Sequence, residues 1–186
     1  HSRMTVNFDT GDFVAGEYDA QLNDDFMNLC LYDNLIKLDI KDFYGKLYSH
    51  YLPKGELQDN VFTSLNNGRT GGIIMGNYLS LYFAENALKK ISDDFERALE
   101  EASVNCHFEY FSDDFYIFCN RYDNEKIREF FSQVLAENDY EGNEQKIEIE
   151  DYESYNIENL LTRYWKAIMR HWNVEVIKDL ERQGIS

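Results

Sequence analysis

Basic residues, proline and cysteine are all scarce in this chain, and each shortage excludes something. Lysine and arginine number 18 against 35 aspartates and glutamates, a net charge of −17. Phosphate backbones are gripped by clusters of Lys and Arg. That balance is awkward for a nucleic-acid partner, and any nucleic-acid contact has to be local, metal-assisted or supplied from outside these residues. There is one proline, Pro53, and no Pro- or Ser-rich, repetitive or low-complexity stretch, so no interdomain linker is visible. Cys30, Cys106 and Cys119 form no Cys-x-x-Cys and leave an odd count. Cys106 and Cys119 fall in strand-like runs and read as reduced core thiols, which fits a cytoplasmic compartment. No apolar run approaches the ~20 residues of a membrane span. His1-Ser2-Arg3-Met4-Thr5 has no apolar stretch behind it, so neither a membrane partner nor a signal peptide is expected.

What the chain does have is aromatic bulk, 14 Tyr and 13 Phe in 186 residues. That length supports a real core, and the composition argues against disorder. Residues 1–18 read as irregular. Asn23 is placed to cap a short helix with Phe26, Met27, Leu29 and Cys30 on its apolar side. Leu35-Ile36-Lys37-Leu38-Asp39 reads as a buried strand, and from Asp42 onward Phe43, Leu47, His50 and Tyr51 share a helical face. Residues 52–72 read as a loop rich in glycine but without P-loop spacing. Residues 73–99 give a long helical signal, with Leu81, Ala84, Leu88, Ile91, Phe95 and Ala98 inward and Ser92-Asp93-Asp94 on the wet face.

A hairpin follows over 106–119. Asp123 or Asn124 then caps a helix with Ile127, Phe131, Val134 and Leu135 inward. Gln145 to Glu150 alternates as an edge strand does. The last helix, from Ile157 to about Leu180, puts Ile157, Leu161, Tyr164 and Ile168 on one face and Arg163, Lys166 and Arg170 on another. That basic stripe is the best local candidate for phosphate contact, although a charged helix face is also simply a solvated one. The order predicts an α+β domain, an antiparallel sheet with helices packed on one face. It divides into an N-terminal segment over 1–34, a sheet-bearing core over 35–150 and a helical segment over 151–186.

The chemistry gathers at three carboxylates. Asp113 and Asp114 sit in Tyr110-Phe111-Ser112-Asp113-Asp114-Phe115-Tyr116, a polar break between two apolar strand-forming runs. Acidic pairs at turns are also ordinary turn chemistry. Asp39 ends a core strand, where it serves equally well as a helix cap on spacing alone. Should the hairpin lie beside the Asp39 strand, the three converge. Hard cations such as Mg²⁺ take one or two carboxylates plus substrate phosphates, and a metal relieves the repulsion that crowded carboxylates otherwise suffer.

These residues together resemble the palm of reverse transcriptases. Leu38-Asp39-Ile40-Lys41-Asp42-Phe43-Tyr44 is similar to motif A, and Gly72-Ile73-Ile74-Met75-Gly76 leading into a long helix is similar to motif B. Phe111-Ser112-Asp113-Asp114 resembles motif C, and Asn143-Glu144-Gln145-Lys146 resembles motif D. Four motifs in order cover roughly 33–150. The closest flavour is the bacterial abortive-infection, antiviral defence branch, since motif B lacks its usual Pro-Gln and Ala84-Glu85 follows.

The resemblance implies a polymerase-palm-like fold and an RNA-directed DNA polymerase with a two-ion Mg²⁺ (or Mn²⁺) centre. Asp39 and Asp113 would hold both ions, Asp114 would support them, and the Ile40 carbonyl would complete one shell. Tyr44 would stand as a steric gate favouring deoxynucleotides. Gly72, Ile73, Met75 and Gly76 would line the nascent base pair, and Lys146 would approach the departing phosphates. The implied partners are a dNTP and an RNA or DNA primer and template, with a homo-oligomer left open. Ile74-Met75 in place of Pro-Gln puts template use in question. Few residues precede Asp39, so a full fingers region does not fit, and the resemblance implies a fragment or a compact variant. Two other readings stand beside it: a non-catalytic palm-derived interaction module, and a diguanylate-cyclase-like palm enzyme, which lacks its Gly-Gly-(Asp/Glu)-Glu-Phe signature here.

Overall fold

The computed structural model describes residues 17–47 and 78–182. The expected glycine-rich loop, motif B, His50 and Tyr51 lie outside the described residues. The elements in order are α1 (Glu17–Leu31), β1 (Asn34–Asp39), α2 (Phe43–Lys46), α3 (Tyr78–Glu101), β2 (Cys106–Phe111), β3 (Asp114–Cys119), α4 (Asn124–Glu137), β4 (Glu148–Glu150) and α5 (Tyr152–Arg182). Short 3₁₀ turns precede α4 at Arg121–Asp123 and β4 at Glu144–Lys146. The chain is α+β. Its contacts divide it into two units, His1–Ile149 and Glu150–Ser186.

The sheet is antiparallel, in the order β2-β3-β1-β4. Alternation along each strand decides what faces what. Ile36 and Leu38 of β1, Phe108 and Tyr110 of β2, and Phe115 and Ile117 of β3 fall on one face by their register. They share a buried core with Ala84, Leu88, Ile91 and Phe95 of α3 and with Ile127, Phe131, Val134 and Leu135 of α4. Phe95 sits at its centre, edge-on to Phe108 at 5.2 Å and to Phe131 at 5.4 Å between ring centroids. The other face carries Asp39, Glu109, Asp114 and the buried Leu35–Phe118 pair. There Gln21 of α1 donates a hydrogen bond to Glu109 at 3.0 Å.

Several local expectations change. The first helix begins at Glu17, so Asn23 lies inside it and caps nothing. Its buried positions are Leu22, Asp25 and Leu29, while Met27 and Cys30 are exposed. On α3, Leu81 is exposed and Ser92 is buried, the reverse of the pattern drawn from spacing. The expected strand from Gln145 opens as a 3₁₀ turn and pairs only over Glu148–Glu150, with Ile149 exposed. On α5, Ile157 and Tyr164 of the expected apolar face are 65% and 60% exposed. The hairpin and α4 form with the buried residues expected of them.

Among the described residues no helix is long and apolar enough to cross a membrane. All three cysteines are free. Burial pushes the Cys106 thiol up to about 11 and the Cys119 thiol up to about 12, which keeps both in the unreactive thiol form.

Candidate functional site

The hairpin and β1 bring the acidic residues together through register. Phe111 pairs with Asp114, so Ser112 and Asp113 form a two-residue turn. Ser112 takes φ 55 there, a positive value of the kind that two-residue hairpin loops use. Its hydroxyl donates to Asp113 Oδ1 at 2.9 Å. On its other side β3 pairs with β1, and Asp114 falls directly opposite Asp39. Beyond the last pair the Ile40 N–H donates to the Asp113 carbonyl at 3.1 Å, fastening the turn to β1.

A second segment closes on Asp39 from the far side of β1. Lys41 N–H donates to the Glu141 carbonyl at 2.9 Å, Ile40 bridges Gly142, and Asn143 N–H donates to the Asp39 carbonyl at 2.8 Å. Residues 141–143 thus run antiparallel along the end of β1. The 3₁₀ turn that follows is closed by Lys146 N–H donating to the Asn143 carbonyl at 3.0 Å. In a 3₁₀ turn residues three apart eclipse, which sets Asn143 and Lys146 on the same side, over Asp39. Asn143 Nδ2 donates to Asp39 Oδ1 at 2.7 Å, and Lys146 Nζ to Asp39 Oδ2 at 3.1 Å.

The electrostatics follow from crowding. Asp39 is only 5% exposed. Burial pushes the Asp114 carboxyl above the usual carboxylate range, and the charges of Asp113 and Asp39 push it further. Lys146 opposes this, and its hydrogen bond and charge pairing with Asp39 raise its own pKa. Asp114 also shares a side-chain hydrogen bond with Asp39.

Among the described residues no three His, Cys, Asp or Glu side chains form a ready-made metal cage. The donor set instead offers a buried carboxylate, a second one opposite and a third in the adjoining turn. Such a set fits a hard cation that takes one or two carboxylates and fills its shell with phosphate and water oxygens. Tyr44, on α2, packs edge-on against Phe43 at 5.4 Å and adjoins the core. The short α2 is led by Asp42 at φ 50, and a Cβ at Gly45 would meet the Asp42 carboxylate, which would have to swing aside. Gly72, Ile73, Met75 and Gly76 lie outside the described residues. Arg163, Lys166 and Arg170 lie on α5, in the second unit.

Sequence reasoning singled out Lys146 and missed Asn143. The signal was present in their spacing of three, but it points at Asp39 only once residues 144–146 are known to form a 3₁₀ turn beside β1. No protein-family model matches the chain, and no curated protein sequence matches it.

Proposed function

We propose that the chain is a reverse-transcriptase-like nucleotidyltransferase domain, an RNA-directed DNA polymerase palm adding deoxynucleotides to a 3′ or protein hydroxyl. The observation that carries this reading is the pairing of β1 with β3. It sets Asp39 opposite Asp114, with Asp113 in the turn beside them, at one end of a sheet whose other face is covered by α3 and α4. Two Mg²⁺ or Mn²⁺ ions, when bound, supply activation of the attacking hydroxyl and stabilisation of the leaving oxygen. Asp39, Asp113 and Asp114 are the residues that would hold them, with the Ile40 carbonyl as a further oxygen. Lys146 brings a positive charge to the same site, where charge develops on departing phosphates. By the resemblance to motif A, Tyr44 is the steric gate that favours deoxynucleotides. The substrates are then a dNTP and an RNA or DNA primer and template, in the cytoplasm, with a role in phage defence.

Primer extension by the full-length protein with Mg²⁺ or Mn²⁺ tests this. Synthesis is expected, and Asp39→Asn is expected to lower it more than about 100-fold. Synthesis unchanged by that variant or by Asp113→Asn sinks the assignment. One observation favours a second reading, a non-catalytic palm-derived module: Lys146 Nζ pairs with Asp39 Oδ2 at 3.1 Å, so the chain itself supplies this carboxylate with a positive partner. Calorimetry showing no divalent binding at the three carboxylates would select that module.

A further inference from the structure

We infer that Lys146 is a displaceable counter-cation that competes with divalent ions for Asp39 Oδ2, while Asn143 is the fixed positioning residue holding Oδ1. Lys146 has this role only if Asp39 binds cations as proposed above. Asn143 holds Oδ1 and Lys146 holds Oδ2, and the Asp114 carboxyl also hydrogen-bonds to Asp39. Any cation that takes the carboxylate therefore meets one of these partners first.

The donors differ in what it takes to move them. The Asn143 amide bond is part-buried and short, and the Asn143 backbone N–H is bound to the Asp39 carbonyl. Removing it means undoing the pairing of residues 141–143 along β1, including the Ile40–Gly142 bridge. Lys146 is different. Its side chain is 62% exposed, on a flexible stem, with a strongly hydrated ammonium head. Only the lysine end of the pair is exposed, so Nζ regains its hydration when it swings into water, while the buried Asp39 carboxylate it leaves needs another cation in its place. Two positive charges crowded onto one oxygen repel, so Nζ would leave Oδ2 once a cation was held there, while the Asn143 contact would stay in place.

The exchange has a use at each end. Without a cation, Lys146 offsets the charge of a buried carboxylate packed beside Asp114 and Asp113. With one, Nζ is released beside the site and faces the phosphates that accompany it. A free ion must overcome the lysine alone, whereas a phosphate-bound ion offers the lysine a new partner. Loading is thereby coupled to the nucleotide.

Titration calorimetry with MnCl₂ alone, on the full chain, decides this. Lys146→Gln is expected to bind Mn²⁺ about two- to fivefold more tightly than wild type. Lys146→Arg, which keeps the charge, is expected to restore the wild-type affinity, and Asp39→Asn to lose binding. Removing Lys146 leaves the buried Asp39 carboxylate without its cation, so each variant is titrated only after its circular dichroism matches that of the wild type. Equal or weaker binding by Lys146→Gln, with Asp39→Asn still abolishing it, overturns the counter-cation role and leaves the cation site standing. No binding by any of the proteins overturns both.

Discussion

Burial and two neighbouring carboxylates hold the Asp114 carboxyl above its ordinary 3.8, against the pull of Lys146. The folded chain therefore binds this proton more tightly than the unfolded chain does. Its stabilising contribution is whole below 3.8 and is lost as pH rises through the raised folded value. In metal-free protein at neutral pH the ionised Asp114 is a net cost. Asp114→Asn, whose amide can still donate to Asp39, is expected to be more stable there by on the order of 1 kcal/mol or less. The gap should close as the pH falls below 3.8. Urea unfolding in chelator at the two pH extremes checks this, and a less stable variant at neutral pH would contradict it. Asp39, Asp113 and Asp114 were legible in sequence because each stands at the polar end of an apolar run. Asn143 was not, because nothing local says which carboxylate its amide meets.

The β1–β3 pairing and the α3–α4 layer share one aromatic cluster, and Phe95 is its fully buried centre, with Phe108, Phe115 and Phe131 around it. Truncation leaves a cavity between rings that cannot all collapse inward. Phe95→Ala is expected to lose about 3–5 kcal/mol, read as a lower urea midpoint at unchanged slope; a loss below about 1 kcal/mol would mean that the cluster repacks. β1, β2 and β3 were legible as short apolar, strand-forming runs bounded by polar breaks, and α4 because a period of 3.6 survives in its sequence. Ser92 was misplaced because sequence periodicity fixes the apolar stripe of α3 but not how far its covering extends around the helix. The face assigned to α5 failed for a related reason. Periodicity marks an amphipathic helix, and it does not say what covers it, so Ile157 and Tyr164 stand exposed. The start of α1 was missed because Glu17 carries neither a capping residue type nor the beginning of an apolar stripe.

At the scale of the whole chain, a net charge of −17 repels itself. The ion pairs that offset it are mostly exposed, such as Lys41 and Lys46 with Glu141, and these contribute little. Screening should therefore stabilise the fold. Raising salt from about 0.01 M to about 0.15 M shortens the Debye length from about 30 Å to about 8 Å. The thermal midpoint is expected to rise by about 2–4 °C, since a ΔΔG of about 1 kcal/mol shifts it by that much in a chain of this size. A midpoint that falls would show that ion pairs outweigh the repulsion. The same charge confines any phosphate contact to a few sites, and Lys146 beside the three carboxylates is one place where a positive charge is already held.

By itself the sequence determined the element types of the sheet and of α4, the hairpin, and the identity of three acidic candidates. These depend on local patterns, alternation, helical period and turn chemistry, which each segment carries within itself. Only the tertiary structure decided that β1 pairs with β3 in the register that sets Asp39 against Asp114. Only it brought residues 141–146 back along β1, so that Asn143 and Lys146 occupy the two oxygens of one buried carboxylate. Strand order and register are fixed by burying a whole face at once, and no short stretch of sequence records that competition.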